Sequence, residues 1–134
     1  MKKYFKFLSI IALLGFGCSK SNDGGGTSNQ APQEQPIAFT IDATNNSVST
    51  SSNFAVNLSL TSTMPAAGIK IEITTIDQVT NAIVQNQTIT SNISKNLLTV
   101  TNMVQQHWNN VNIKVTSAAN NNNNSTQTFT VVYK

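Results

Sequence analysis

Ile69-Lys70-Ile71-Glu72-Ile73-Thr74 alternates a branched apolar side chain with a polar one. In an extended chain successive side chains point to opposite faces, so this stretch has one apolar and one polar face. A helix would scatter the three isoleucines around its circumference. The same period recurs outward in both directions. Phe54, Val56, Leu58 and Leu60 alternate with Ala55, Asn57, Ser59 and Thr61. Val111, Ile113 and Val115 alternate with Asn112, Lys114 and Thr116, and Phe129, Val131 and Tyr133 with Thr128, Thr130 and Val132. Ile37, Phe39 and Ile41 open the series, and weaker runs cover 82–89 and the pair Leu98 and Val100. Amphipathic helical period is absent throughout. The expected class is all-β.

Seven short strands within residues 37–134, each with one apolar face, predict a single antiparallel β-sandwich. In outline this resembles the immunoglobulin-like or fibronectin-III-like domains of envelope lipoproteins. The immunoglobulin Cys…Trp…Cys set is missing, since the chain has one cysteine and one tryptophan. An open barrel is the rival architecture. The resemblance implies that strands three and six are neighbours, with Glu72 and Lys114 as an exposed cross-strand pair. It also implies that loops 61–68 and 118–126 share the end at which the first strand starts. Loops 43–52, 77–82 and 102–107 would then lie at the opposite end, with Trp108 at its margin. The five asparagines at 120–124 read as an expanded surface hairpin loop.

The amino end follows a different logic. Lys2, Lys3 and Lys6 precede an apolar run over 7–16, then Gly17 and the sole cysteine, Cys18. A basic segment, a short apolar run and a small residue form a secretory signal. A run of ten residues spans roughly 15 Å as a helix, half the thickness of a hydrocarbon core, so it is too short to cross a membrane. Leu14-Gly15-Phe16-Gly17-Cys18 resembles the lipobox of bacterial lipoproteins, agreeing at Gly17 and Cys18 and departing where Gly15 replaces the usual aliphatic residue. Looser lipoboxes of this kind are common in Bacteroidota lipoproteins. The resemblance implies cleavage between Gly17 and Cys18 and acyl chains on Cys18 that hold the protein to the outer membrane. Residues 18–36 are almost free of apolar side chains and read as a flexible tether. Lys20 and Asp23 form a thin version of the acidic surface-export signal of such lipoproteins, which leaves the surface and the periplasmic face both open. The expected division is thus a signal peptide at 1–17, a lipidated tether at 18–36 and one domain at 37–134.

Losing the signal changes the charge. The full chain carries a formal +3, but three of its lysines lie in the signal. Lys20, Lys70, Lys95, Lys114 and Lys134 then face Asp23, Glu34, Asp42, Glu72 and Asp77, for a formal net of zero. With no arginine and no clustered basic face, nucleic-acid binding is excluded as a reading. His107 is the only histidine, so neither a nucleophile–base pair nor a transition-metal site can be assembled on sequence grounds. No catalytic residue, metal or cofactor is expected. Asp42 with Asn45 and Asn46, and Asp77 with Asn81, offer oxygen ligands for calcium, although such residues are ordinary turn formers. Asn-x-Ser/Thr triplets at Asn57, Asn86 and Asn92 follow from composition.

Trp108 poses the one functional question. Flanked by Gln105, Gln106, His107, Asn109 and Asn110, it is either a platform for sugar or a core or corner residue. The candidate ligand-binding set is therefore Trp108, His107, Gln106 and Asn109. The expected function is that of a non-enzymatic, lipid-anchored cell-envelope protein whose domain is a binding, adhesion or spacer module, with a protein or glycan partner. The alternative is a carbohydrate-binding accessory lipoprotein of a glycan-uptake system.

Overall fold

The computed structural model describes residues 33–134. The candidate signal peptide, Gly17, Cys18 and the tether as far as residue 32 lie outside the described residues. Eight strands follow in order: β1 (Phe39–Ile41), β2 (Ser47–Ser49), β3 (Phe54–Leu60), β4 (Ile69–Asp77), β5 (Ile83–Ser91), β6 (Lys95–Val100), β7 (Trp108–Ser117) and β8 (Asn124–Tyr133). No helix occurs among the described residues. One sheet has the order β1-β3-β6, the other β2-β8-β7-β4-β5. Their apolar faces share one core, which includes Val56, Leu58, Leu98, Ile71, Ile73, Ile113, Phe129 and Val131. Phe54 and Phe129 meet across it with ring centroids 6.0 Å apart.

The stretch at 69–74 forms the second strand from one edge of the larger sheet and behaves as its period demands. Ile69, Ile71 and Ile73 are fully buried, while Lys70, Glu72 and Thr74 are half-buried on the outer face. Glu72 and Lys114 are register partners between β4 and β7. The ion pair that forms, however, is Lys70–Glu72 at 3.4 Å, along β4 itself.

Two expectations need correction. The sandwich has eight strands, and the larger sheet is mixed, because β2 runs parallel to β8 with Ser47 opposite Val131 and Ser49 opposite Tyr133. The segment 43–52 reads as a loop because its one large apolar residue, Val48, faces outward at 52% exposure and leaves no alternation. The β7–β8 loop is also shorter than expected, covering 118–123, since Asn124 and Ser125 continue the ladder opposite Thr116 and Val115. Neutral asparagine and serine side chains are compatible with an exposed strand end.

Two glutamines clasp the sheets together. On β5, Gln85 is 7% exposed and reaches to β6. Its Nε2 donates to the Thr99 carbonyl at 2.9 Å, and its Oε1 accepts from the Thr101 N–H at 3.0 Å and the Thr75 hydroxyl at 3.2 Å. On the other flank Gln127 of β8 donates to the Phe39 carbonyl of β1. A left-handed turn leads into β4 at Gly68, with φ +82°. There a Cβ would come within 2.8 Å of the Ser91 carbonyl oxygen, so only glycine fits.

Residues 34–37 arrive at one end of the strands. The Ile37 N–H donates to Asn123 Oδ1 at 2.8 Å. Asn123 Nδ2 donates to Glu34 Oε2 at 3.1 Å and to the Gln35 carbonyl at 2.9 Å. Ser117 Oγ binds Glu34 Oε1 at 3.0 Å, and Thr63 Oγ1 binds Gln35 Oε1 at 2.7 Å. The stretch that composition assigned to the end of the tether is thus fastened to the domain, by an asparagine of the 120–124 run. Loops 61–68 and 118–123 lie at this arrival end, through the Thr61–Ala38 and Ala118–Gly68 backbone bonds. Residues 50–52, 78–82 and 101–107 lie at the far end, through the Gln78–Trp108, Met103–Ser52 and Lys134–Ser49 backbone bonds. Of the loop expected at 43–52, residues 47–49 form β2 instead.

Candidate functional site

Trp108 opens β7 at the far end, opposite Val132 of β8, which in turn lies opposite Val48 of β2. Residues directly opposite one another in a sheet point to the same face. The next row inward, Asn109 with Val131, is fully buried, so the Trp108 row faces outward. Val132 occupies the middle of that row and is only 3% exposed, whereas Trp108 at its edge is 37% exposed. The tryptophan is therefore neither a core residue nor a fully open platform. It leaves over a third of its surface to solvent. Asn110 and Thr130, one row further along the outer face, are register partners and uncharged.

The other three candidates separate. Gln106 is exposed, held in a left-handed turn with φ 64°, and its N–H donates to the Tyr133 carbonyl at 2.6 Å. Asn109 points inward and is fully buried, which removes it from any surface site. Its Nδ2 donates to the His107 carbonyl at 3.0 Å, while its Oδ1 has no hydrogen-bond partner among the described residues. His107 is half-buried and tied by Nδ1 to Asp77 Oδ2 at 2.8 Å.

Asp77, considered from the sequence as a possible calcium ligand, turns out to be the partner of His107. It ends β4 opposite Asn109 and is 1% exposed. Oδ2 meets His107 and Oδ1 accepts the Val79 N–H at 2.8 Å, the mark of an Asx turn. The hydrogen bond from His107, opposed by burial, holds its carboxyl well below the usual range, down to about 2. Thirty positions separate the two residues, so only the β4–β7 register brings them together.

Asp42 likewise spends its oxygens within the fold. The Asn57 backbone N–H and Nδ2 donate to them at 2.8 and 2.6 Å, and the side-chain bond is the main cause of its lowered pKa. Asn46 and Asn81, flanking the two carboxylates, adopt left-handed turns with φ 66° and 57°. Asp77 thus uses its side chain in a turn, whereas Asp42 ties its loop to β3. Among the described residues no three of His, Cys, Asp and Glu converge. Among the described residues His107 meets one carboxylate, that of Asp77. Their contact orients the ring, and no side-chain hydroxyl hydrogen-bonds to its second nitrogen.

Depressions of about 450 and 350 Å³ open at the arrival end, beside Glu34, Asn123 and Met64. The far end presents a surface: Trp108, Val48, Val79 and Val104 are exposed there. No protein-family model matches the chain, and no curated protein is significantly similar to it.

Proposed function

We propose that the protein is a non-enzymatic module of the bacterial cell envelope, lipid-anchored through Cys18, with an Ig-like domain that meets its partner at the far end. One observation carries this reading: residues 34–37 arrive at the end of the sandwich opposite Trp108 and its apolar neighbours. A domain held from its arrival end offers the other end to whatever approaches. The Ig-like assignment is supported by the strand order, in which β3 and β6 pair in one sheet and β4, β7 and β8 are consecutive in the other. In this assignment β2 is the detached second half of the first strand, transferred to the opposite sheet. The location is the outer membrane, on its surface or its periplasmic face.

The anchor is tested by fractionation. Cys18→Ala moves the protein from the membrane fraction to the soluble one, and a variant that stays with membranes as the parent does refutes the anchor.

Trp108 favours a second reading, that of a glycan-binding module. A partly open indole beside uncharged amide and hydroxyl side chains suits a neutral sugar ring, which stacks its C–H face on an aromatic surface. Trp108→Ala then abolishes retention on insoluble polysaccharide and lowers stability by only about 1 kcal/mol, because the ring is already partly solvated. Unchanged retention sinks the glycan reading and leaves the anchor untouched.

A further inference from the structure

Four strands border the two sheets, and three of these borders are short or partly capped. Gln127 caps the Phe39 carbonyl on β1. Gln85 occupies the Thr99 carbonyl and Thr101 N–H beside β6, whose edge also begins with Lys95. Strand β2 is three residues long. The fourth, β5, is nine residues long, with the sequence IVQNQTITS: no charge, no proline, no glycine. Free edges are ordinarily blunted by lysine, proline or brevity, and β5 has none of these beyond the register shift near Ile83.

The register shows which backbone groups are free. The Asp77 N–H points toward β5, to the Ala82 carbonyl, and that of Gln78 points to β7. Alternation along β4 then directs Thr75, Ile73, Ile71 and Ile69 toward β5, where they oppose Gln85, Gln87, Ile89 and Ser91. Asn86, Thr88 and Thr90 therefore turn their N–H and C=O groups away from the sheet. All three residues are exposed, and among the described residues nothing bonds these groups. Only Val84, at the strand's start, has its carbonyl covered, by Asn102 Nδ2 at 3.2 Å.

We propose that β5 pairs with β5 of a second copy of this chain, antiparallel and centred on Thr88. A two-fold axis through that point sets Thr88 against Thr88, and Asn86 against Thr90 on both sides. Each outward-facing pair is an uncharged amide or hydroxyl, and no residue of the strand is charged, so it meets itself without the like-charge repulsion that a charged edge would create. On the inner side Gln87 meets Ile89. The two five-stranded sheets become one continuous sheet. The pairing is independent of the anchor and of the partner at Trp108.

Two variants of the full chain in detergent test it. Thr88→Cys forms a disulfide-linked dimer under mild oxidation at least tenfold above the parent and above Thr126→Cys, exposed on β8. Thr88→Pro removes only an outward N–H, so the ladder with β4 is kept. It sediments as a monomer where the parent sediments as a dimer, with the same strand signal in circular dichroism. Should the proline disturb the fold, Thr88→Lys sets like charges face to face and gives the same loss of dimer. A monomeric parent, cross-linking at Thr88 no stronger than at Thr126, or a folded variant that stays dimeric overturns the proposal.

Discussion

Asp77 has the most perturbed chemistry among the described residues. Its carboxyl is depressed to about 2, first by His107 and then by the turn bonds at Val79 and Thr80, against the opposing effect of burial. A carboxyl that binds its proton less readily when folded stabilises the fold above its unfolded pKa of about 3.9. That contribution is lost as pH falls toward 2. Asp77→Asn is therefore less stable than the parent near neutrality, and its stability declines less between about pH 4 and pH 2. Urea unfolding at several pH values checks this, and parallel losses in the two proteins rule it out. A residual slope remains in the variant, because Asp42 is lowered in the same direction by Asn57. Nothing local in the sequence marks Asp77 as buried, and His107 reads as an ordinary loop histidine. Their pairing depends on a register between strands far apart in the chain.

Strands were legible where one face is buried and the other wet. β3, β4 and β7 alternate cleanly, and their periods place Val56, Ile71 and Ile113 in the core. β2 was not legible, because its hold on β8 is a backbone pairing that asks little of its side chains. β5 was only half legible, since exposed residues occur on both of its faces. Gln85 explains part of that blur. An amide on the inner face looks like a break in the apolar pattern, yet it joins the two sheets through its bonds to the Thr99 carbonyl and the Thr101 N–H. Gln85→Ala leaves the part-buried Thr99 carbonyl and Thr101 N–H without their partner, at a cost of about 1 kcal/mol. A lower urea midpoint with an unchanged m-value is the expected result. A variant as stable as the parent would mean that solvent already satisfies those groups.

Across the whole domain, the asparagine run has a use that its low complexity conceals. Asn123 alone binds Glu34, Gln35 and Ile37. Asn123→Ala frees residues 34–36 and speeds amide exchange at Ile37 at least tenfold, for a global loss of about 1 kcal/mol. Unaltered exchange at Ile37 would assign that hold to Ser117 and Thr63 instead. The parallel β2–β8 ladder has a further consequence, in time. β8 supplies Phe129 and Val131 to the core, neighbours β7, and is the strand to which β2, some eighty positions earlier, must attach. A chain emerging N-terminus first therefore holds β2 and the apolar face of β7 without their neighbour until its last strand has appeared. Contacts of such long sequence separation form slowly and late. Folding is therefore completed only once the final strand is free to pair with β2 and β7.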